Sequence, residues 1–209
     1  MKILDAAFLT SVTADGHLPP DLGPTFAMVG RSNVGKSSLI NALTGRHIAR
    51  AGAKSGTTRL VNLYTVRISI VTHGKPARFS LADLPGYGFA RGGLDARREF
   101  DAMTKRFFAQ IGDETSILPT RNRRRLAGII LVIDGRHPGL NSDQAAYAWV
   151  RQHDFPAVIV TTKNDRMSRK AQAKSRREHE RALGEAVIAT SSKTGAGTKL
   201  IWTAIGVLL

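Results

Sequence analysis

Cysteine is absent from this chain of 209 residues, which excludes disulfides and cysteine-ligated zinc and agrees with a reducing compartment. No apolar run approaches the ~18 residues that a membrane-spanning helix needs. The opening Met1-Lys2-Ile3-Leu4-Asp5 lacks the charged-then-apolar layout of a secretory signal. A soluble, cytoplasmic protein without stable membrane insertion is therefore expected. No internal repeat or low-complexity tract is present. Acidic residues are in short supply: 16 Asp and Glu stand against 31 Lys and Arg, a net charge of +15. Such an excess points to a polyanionic partner, either nucleic acid or an anionic membrane surface, although a basic and merely soluble protein has the same composition.

What is present starts with Gly30-Arg31-Ser32-Asn33-Val34-Gly35-Lys36-Ser37, which fits the pattern G-x-x-x-x-G-K-[ST]. It follows the apolar run Phe26-Ala27-Met28-Val29 and precedes the helix-like Ser38-Leu39-Ile40-Asn41-Ala42-Leu43. In that setting the backbone N–H groups of the loop converge on phosphate oxygens, and the positive end of the following helix dipole favours the anion. Lys36 can reach the outer phosphates and the Ser37 hydroxyl can ligate Mg²⁺. The pattern implies a nucleotide.

The rest of the chain alternates in type. The runs 26–29, 129–133, 158–160 and 187–189 are short and apolar, as suits strands buried on both faces of a parallel sheet. Helical spacing appears at Phe100, Met103 and Phe107, and again at Ile201, Ile205 and Leu208. The stretch 62–71 has a period of two, Tyr64, Val66, Ile68 and Ile70 alternating with Leu63, Thr65, Arg67 and Ser69, which suits a half-exposed edge strand. With the turn His73-Gly74-Lys75-Pro76 it forms a hairpin with 78–83. Residues 111–125 have turn chemistry and read as a loop. The expected architecture is a single α/β domain over 23–209, preceded by a short extension at 1–22 that ends in Pro19-Pro20.

Open α/β sheets bind ligands at the carboxyl ends of their strands. At one such end stands Asp83-Leu84-Pro85-Gly86. There an aspartate can hold Mg²⁺ through water and the Gly86 N–H can reach a terminal phosphate; an ordinary turn explains the tetrapeptide equally well on local grounds. At another stands Thr162-Lys163-Asn164-Asp165. Guanine offers N1–H and an exocyclic amine as paired donors, which one carboxylate can accept, and adenine offers no such pair. Lys163 can lay its methylene stem along the base. Thr190, Ser191 and Ser192, with Lys193, offer loop N–H groups to the guanine O6. Each tetrapeptide is weak alone, and their order after successive strands is what carries weight. Ser55-Gly56-Thr57-Thr58 lies between the phosphate loop and the hairpin, where a threonine can put its hydroxyl on Mg²⁺ and its N–H on the terminal phosphate; a polar loop is an equal alternative.

Together these residues resemble the translation-associated small GTPases and, within them, the EngB family (YihA/YsxC-like). The resemblance runs from about Phe26 to the end of the chain and is most specific in GRSNVGKSSLINAL and DLPGYG. Asp134-Gly135-Arg136-His137-Pro138 with Asp143, and then Thr162 to Asp165, also look like that family. The resemblance implies a P-loop GTPase fold with a mostly parallel six-stranded sheet, one antiparallel edge strand and helices on both faces. It implies GTP and GDP as ligands, held by residues 30–37 with Ser37 on Mg²⁺. It further implies a first switch at Gly56, Thr57, Thr58, Arg59 and Leu60, with Thr58 as the second Mg²⁺ ligand. Asp83, Leu84, Pro85 and Gly86 would form the second switch, Thr162 to Asp165 the guanine reader, and Thr190, Ser191 and Ser192 its supporting loop. The implied role is assembly of the large ribosomal subunit, with a part in division and septation. The family usually has Pro-Gly-[Lys/Arg]-Thr-Gln in the first switch, where this chain has Ser55-Gly56-Thr57-Thr58-Arg59.

Tyr87 occupies the position where many GTPases place the glutamine that orients the attacking water. It has no carboxamide, so slow intrinsic hydrolysis is expected, with Lys36 and Thr58 as catalytic residues. Asn33 resembles a phosphate-loop asparagine that, in related glutamine-lacking GTPases, helps hold a potassium ion, which makes it one candidate for supplying the missing positioning; the ribosome, acting in trans, is the other candidate. Arg166, Arg169, Lys170, Lys174, Arg176, Arg177 and Arg181 crowd one helix, and Arg121, Arg123, Arg124 and Arg125 form a second cluster. Both suit the phosphates of ribosomal RNA, and a solvated face accounts for either one taken singly. Aromatics are only 6% of the chain and none lies inside these runs, so base stacking on them is not expected. A monomer is expected. The alternative is a nucleotide-gated binding module for a division protein or an anionic membrane, with hydrolysis incidental.

Overall fold

In the computed structural model, residues 2–13, 16–50, 60–69, 76–87, 104–111 and 125–209 are described. In chain order the elements are β1 (Lys2–Val12), β2 (Pro24–Gly30), α1 (Lys36–Thr44), β3 (Val61–Ser69), β4 (Pro76–Asp83), α2 (104–111), β5 (Arg125–Asp134), α3 (Asn141–Gln152), β6 (Ala157–Thr162), α4 (Arg169–Leu183), β7 (Ile188–Ala189) and α5 (Thr198–Leu208). The strands form one sheet in the order β1-β3-β4-β2-β5-β6-β7. From β4 to β7 all neighbours are parallel. The fold is α/β, with β3 alone running against its neighbours.

The apolar runs become strands because both of their faces are covered. On one face Phe26, Met28, Tyr64, Val66 and Ile68 meet Leu39, Ile40 and Leu43 of α1 and Ile201 and Ile205 of α5. On the other, Ala27, Val29, Leu63, Ile129, Leu131 and Ile133 meet Phe107 and Ile111 of α2, Tyr147 and Val150 of α3 and Leu183 of α4. Ile201 and Ile205 are fully buried, as their helical spacing requires. Helix α4 buries only the stripe Ser175, His179 and Leu183 and leaves the rest of its surface to charged residues. It starts at Ser168, whose hydroxyl accepts the Ala171 N–H, and stops at Gly184 in the left-handed region.

Two expectations need correction. The sheet has seven strands rather than six, and β3 is not its edge. Residues 2–12 pair antiparallel with β3 along almost its whole length, from Lys2 opposite Ser69 to Val12 opposite Val61. The half-exposed pattern of β3 suits an edge equally well, because side-chain burial says nothing of which strand takes up its outer backbone groups. Strand β1 escapes the periodicity test because only Ala6 and Val12 are buried along it. The following connector is tied down by side chains: Gln110 accepts from the Leu18 N–H and donates to Gly16 O, and Ser80 donates to Leu22 O. Phe100, Met103, the hairpin turn 70–75 and residues 112–124 of the expected loop lie outside the described residues; Ile111 closes α2 and Arg125 opens β5.

The register sets the candidate residues at one rim. Met28 is opposite Asp83, Gly30 opposite Val132, Asp134 opposite Thr162, and Thr161 opposite Ala189. The loops that leave β2, β4, β5, β6 and β7 therefore emerge together at the carboxyl ends of the strands.

Candidate nucleotide-binding site

Strand β2 ends at Gly30 and the chain turns through residues 31–35 into α1. Gly35 is the N-cap at φ 111°, a conformation open to glycine at little cost, and no side chain caps the helix. The first-turn amides of α1 are thus left without a side-chain acceptor, the arrangement that receives an anion. Asn33 also has positive φ, 59°. Lys36 is buried, and its ammonium donates to Gly30 O at 3.1 Å and Arg31 O at 3.3 Å. Burial pushes its pKa down, and the negative charge of Asp83 works in the other direction.

Ser37 donates to Asp83 Oδ2 at 2.8 Å, so the hydroxyl that ends the phosphate loop meets the carboxylate that ends β4. The second oxygen of Asp83, Oδ1, is buried with no hydrogen-bond partner among the described residues. Burial raises the Asp83 pKa, against the opposing influence of Lys36 and Ser37. A hydroxyl and a carboxylate with one unsatisfied oxygen form an oxygen-only donor set, which fits a hard cation such as Mg²⁺. Among the described residues no cluster of three or more His, Cys, Asp or Glu offers another metal site.

Leu84, Pro85 and Gly86 continue from β4 beside the phosphate loop, and Leu84 N donates to Met28 O. A Cβ on Gly86 would run into the Ser32 backbone, so glycine is required by close approach. Ser32 also donates through Oγ to Gly86 O. The contact goes one residue further: Tyr87 N donates to Gly30 O and Ser32 N donates to Tyr87 O, both at 3.2 Å.

At the other end of the rim, Thr162 donates its hydroxyl to Val34 O at 2.6 Å and Ile133 O at 3.1 Å. Lys163, at φ 60°, donates to Asn33 O and to Asp134 Oδ2. Asn164 is buried and its amide donates to Thr161 O and Thr190 O. Asp165 is exposed and accepts from the Ser191 hydroxyl at 2.6 Å, a bond that holds its pKa below the usual carboxylate value. Thr190 is buried, donating to Thr161 O through both N and Oγ1. Ser191 N donates to Ala196 O, and Ser192 beside it is half-buried.

Two further links fix carboxylates at this rim. Asp134 forms a bidentate pair with Arg136, at 2.9 and 2.8 Å, while also accepting from Lys163. Burial alone would raise its pKa, but the hydrogen bonds from Arg136 and Lys163 outweigh it and hold the carboxyl well below its ordinary range. The other link is the Tyr87 hydroxyl, which donates to Asp143 Oδ1 at 2.9 Å. Asp143 lies in the first turn of α3. Its position was visible in the sequence; its partner, on another element, was not. Gly56, Thr57, Thr58 and Arg59 lie outside the described residues, and Leu60 is a half-buried residue just before β3.

Residues 25–163 match the model of the family described as 50S ribosome-binding GTPase. The chain is 35% identical over 202 residues to a protein named probable GTP-binding protein EngB from Chlorobium luteolum, covering 95% of this chain and 87% of that one. A protein of the same name from Desulfatibacillum aliphaticivorans is 33% identical over 209 residues, covering 98% and 92%. Among solved structures, the crystal structure of a probable GTP-binding protein engB superposes with a TM-score of 0.59 at 22% identity, over 88% of this chain and 97% of that one. The cytosolic domain of the T. maritima FeoB iron transporter in a GDP form gives 0.55 at 22% identity, over 88% and 62%. At such identities the structural likeness speaks for the fold alone.

Proposed function

The chain belongs to the 50S ribosome-binding GTPase family and within it to the EngB GTP-binding proteins, and from that premise we propose that it is a slow GTP-hydrolysing switch that acts in assembly of the large ribosomal subunit. The observation that supports this reading is the convergence, at one rim, of the uncapped start of α1, the Ser37–Asp83 pair and the Ser191–Asp165 pair. Phosphates would lie on the amides of residues 30–37, with Lys36 exchanging its carbonyl partners for phosphate oxygens. The Asp165 carboxylate, already ionised and aligned by Ser191, would accept from guanine. Ser37 would ligate Mg²⁺ directly and Asp83 through water, joined by the hydroxyl of Thr58. When bound, Mg²⁺ would neutralise charge on the outer phosphates.

Catalysis would then rest on positioning and electrostatics from Lys36 and the loop amides. Tyr87 has no carboxamide to orient the attacking water and its hydroxyl is bonded to Asp143, so the intrinsic rate is low, and Asn33 is our candidate for recruiting K⁺ to the loop. The exposed basic face of α4 would meet ribosomal RNA through its phosphates. We place the protein in the cytoplasm, as a monomer, with defects in division and septation following from loss of ribosome assembly.

Two experiments test this. Asp165→Asn should weaken GTP and GDP binding and favour xanthosine nucleotides; undiminished guanine selectivity would refute the base assignment. The protein loaded with a non-hydrolysable GTP analogue should co-sediment with large-subunit particles and release them in GDP. Binding to anionic vesicles without binding to ribosomal particles would overturn the ribosomal role.

A further inference from the structure

We propose that Tyr87 and Asp143 form a latch that holds the segment after Asp83 down on the phosphate loop, making Asp143 a positioning residue for the nucleotide switch. This rests on the reading of the site as a GTP switch and adds to it the element that sets its resting position. Tyr87 is held at three points. Its N–H and C=O are bonded to Gly30 and Ser32, and its hydroxyl reaches Asp143 on α3. The backbone bonds form a short parallel bridge between Arg31 and Tyr87 that prolongs the β2–β4 pairing into the loop itself. While the bridge stands, Gly86 is pressed against Ser32. For the Gly86 N–H to follow a terminal phosphate, Tyr87 must leave the bridge.

Asp143 is built to accept that departure. Its side chain is buried, with Oδ1 taken by Tyr87 and Oδ2 without a hydrogen-bond partner among the described residues. A buried carboxylate satisfied on one oxygen is costly, and an available cation lowers that cost. Burial raises the Asp143 pKa, and the Tyr87 hydrogen bond and the positive charge of Arg31 work in the other direction. The two states are therefore a closed one, with Tyr87 on Asp143, and an open one, with that bond broken and the segment free to engage phosphate. Because Asp143 belongs to α3, a contact that shifts this helix would act on the same equilibrium.

The test uses the full chain and reads the ratio of affinities for fluorescent GDP and a fluorescent non-hydrolysable GTP analogue. Tyr87→Phe removes one oxygen and leaves the ring, so it should fold; it should move the ratio toward the triphosphate by about tenfold, the worth of a hydrogen bond to a charged group. Asp143→Ala should do the same, and the double variant should add nothing further. Asp143→Asn, which keeps an acceptor for the hydroxyl but not the charge, should give a ratio between those of the parent and Asp143→Ala. Guanine nucleotide binding with an unchanged ratio in Tyr87→Phe, or additive effects in the double variant, would overturn the latch alone. Failure of the parent protein to bind either guanine nucleotide would overturn the underlying reading as well.

Discussion

Lys163 donates to the main-chain carbonyl of Asn33 at 2.6 Å, across 130 positions of sequence, and the same ammonium donates to Asp134 at 2.8 Å. One cation thus ties the loop after β6 to the phosphate loop and to the end of β5. On the proposed reading, affinity for the base and affinity for the phosphates should be coupled through it. Replacing Lys163 by Met keeps most of the stem and removes the charge. GDP and GTP affinities should fall together by roughly 10- to 100-fold, the range for charged hydrogen bonds, as read by fluorescent nucleotide titration. A loss confined to one nucleotide would contradict the coupling.

Thr162 makes a second, neutral tie, with both acceptors of its hydroxyl buried. Thr162→Val preserves shape and leaves Val34 O and Ile133 O without that donor. Chemical denaturation should show a loss of about 1–3 kcal/mol. Nucleotide affinity should drop as well, because Val34 belongs to the phosphate loop.

Asp134 predicts an acid-dependent effect. Its folded pKa is depressed, so its contribution to stability is complete above the unfolded value of about 3.9 and is lost as pH falls from there toward the folded value. Asp134→Asn should therefore be destabilised by about 2 kcal/mol near neutral pH. The gap from the parent should close progressively below pH ~4. Denaturation midpoints across that window provide the check; a gap that widens in acid would contradict the sign.

On α4, Arg169, Lys170, Arg177 and Arg181 are exposed and make no ion pair among the described residues, whereas Lys174 and Arg176 pair with Glu178 and Glu180. Arg177→Glu with Arg181→Glu should weaken association with ribosomal particles and reduce the slope of log affinity against log salt by roughly one to two. Nucleotide affinity should be unchanged.

The strands of the parallel sheet were legible because each carries its own signal: an apolar run of strand length, followed by a loop of recognisable chemistry. Ile129 to Ile133 are all buried, and such a run has little alternative to a doubly covered strand. Strand β1 was not legible, since its place depends on pairing with β3, some sixty positions away, through backbone groups that no side-chain pattern records. The site followed the same division. Ser37, Asp83 and Asp165 announce themselves by neighbours in sequence. The reach of Tyr87 to Asp143, and of Lys163 to Asn33, exists only once the sheet has brought separate loops to one rim.

Asn164 and Asp165 are held by Thr190 and Ser191, which follow a strand of only two residues, Ile188–Ala189. During synthesis residues 30–37 and Asp165 emerge before those two partners do. A nascent chain lacking residues 188–191 would have the ligand's contacts without the groups that orient them. Nucleotide capture should therefore wait until residues 188–191 have emerged, and the ligand would then favour chains that carry them by binding those alone.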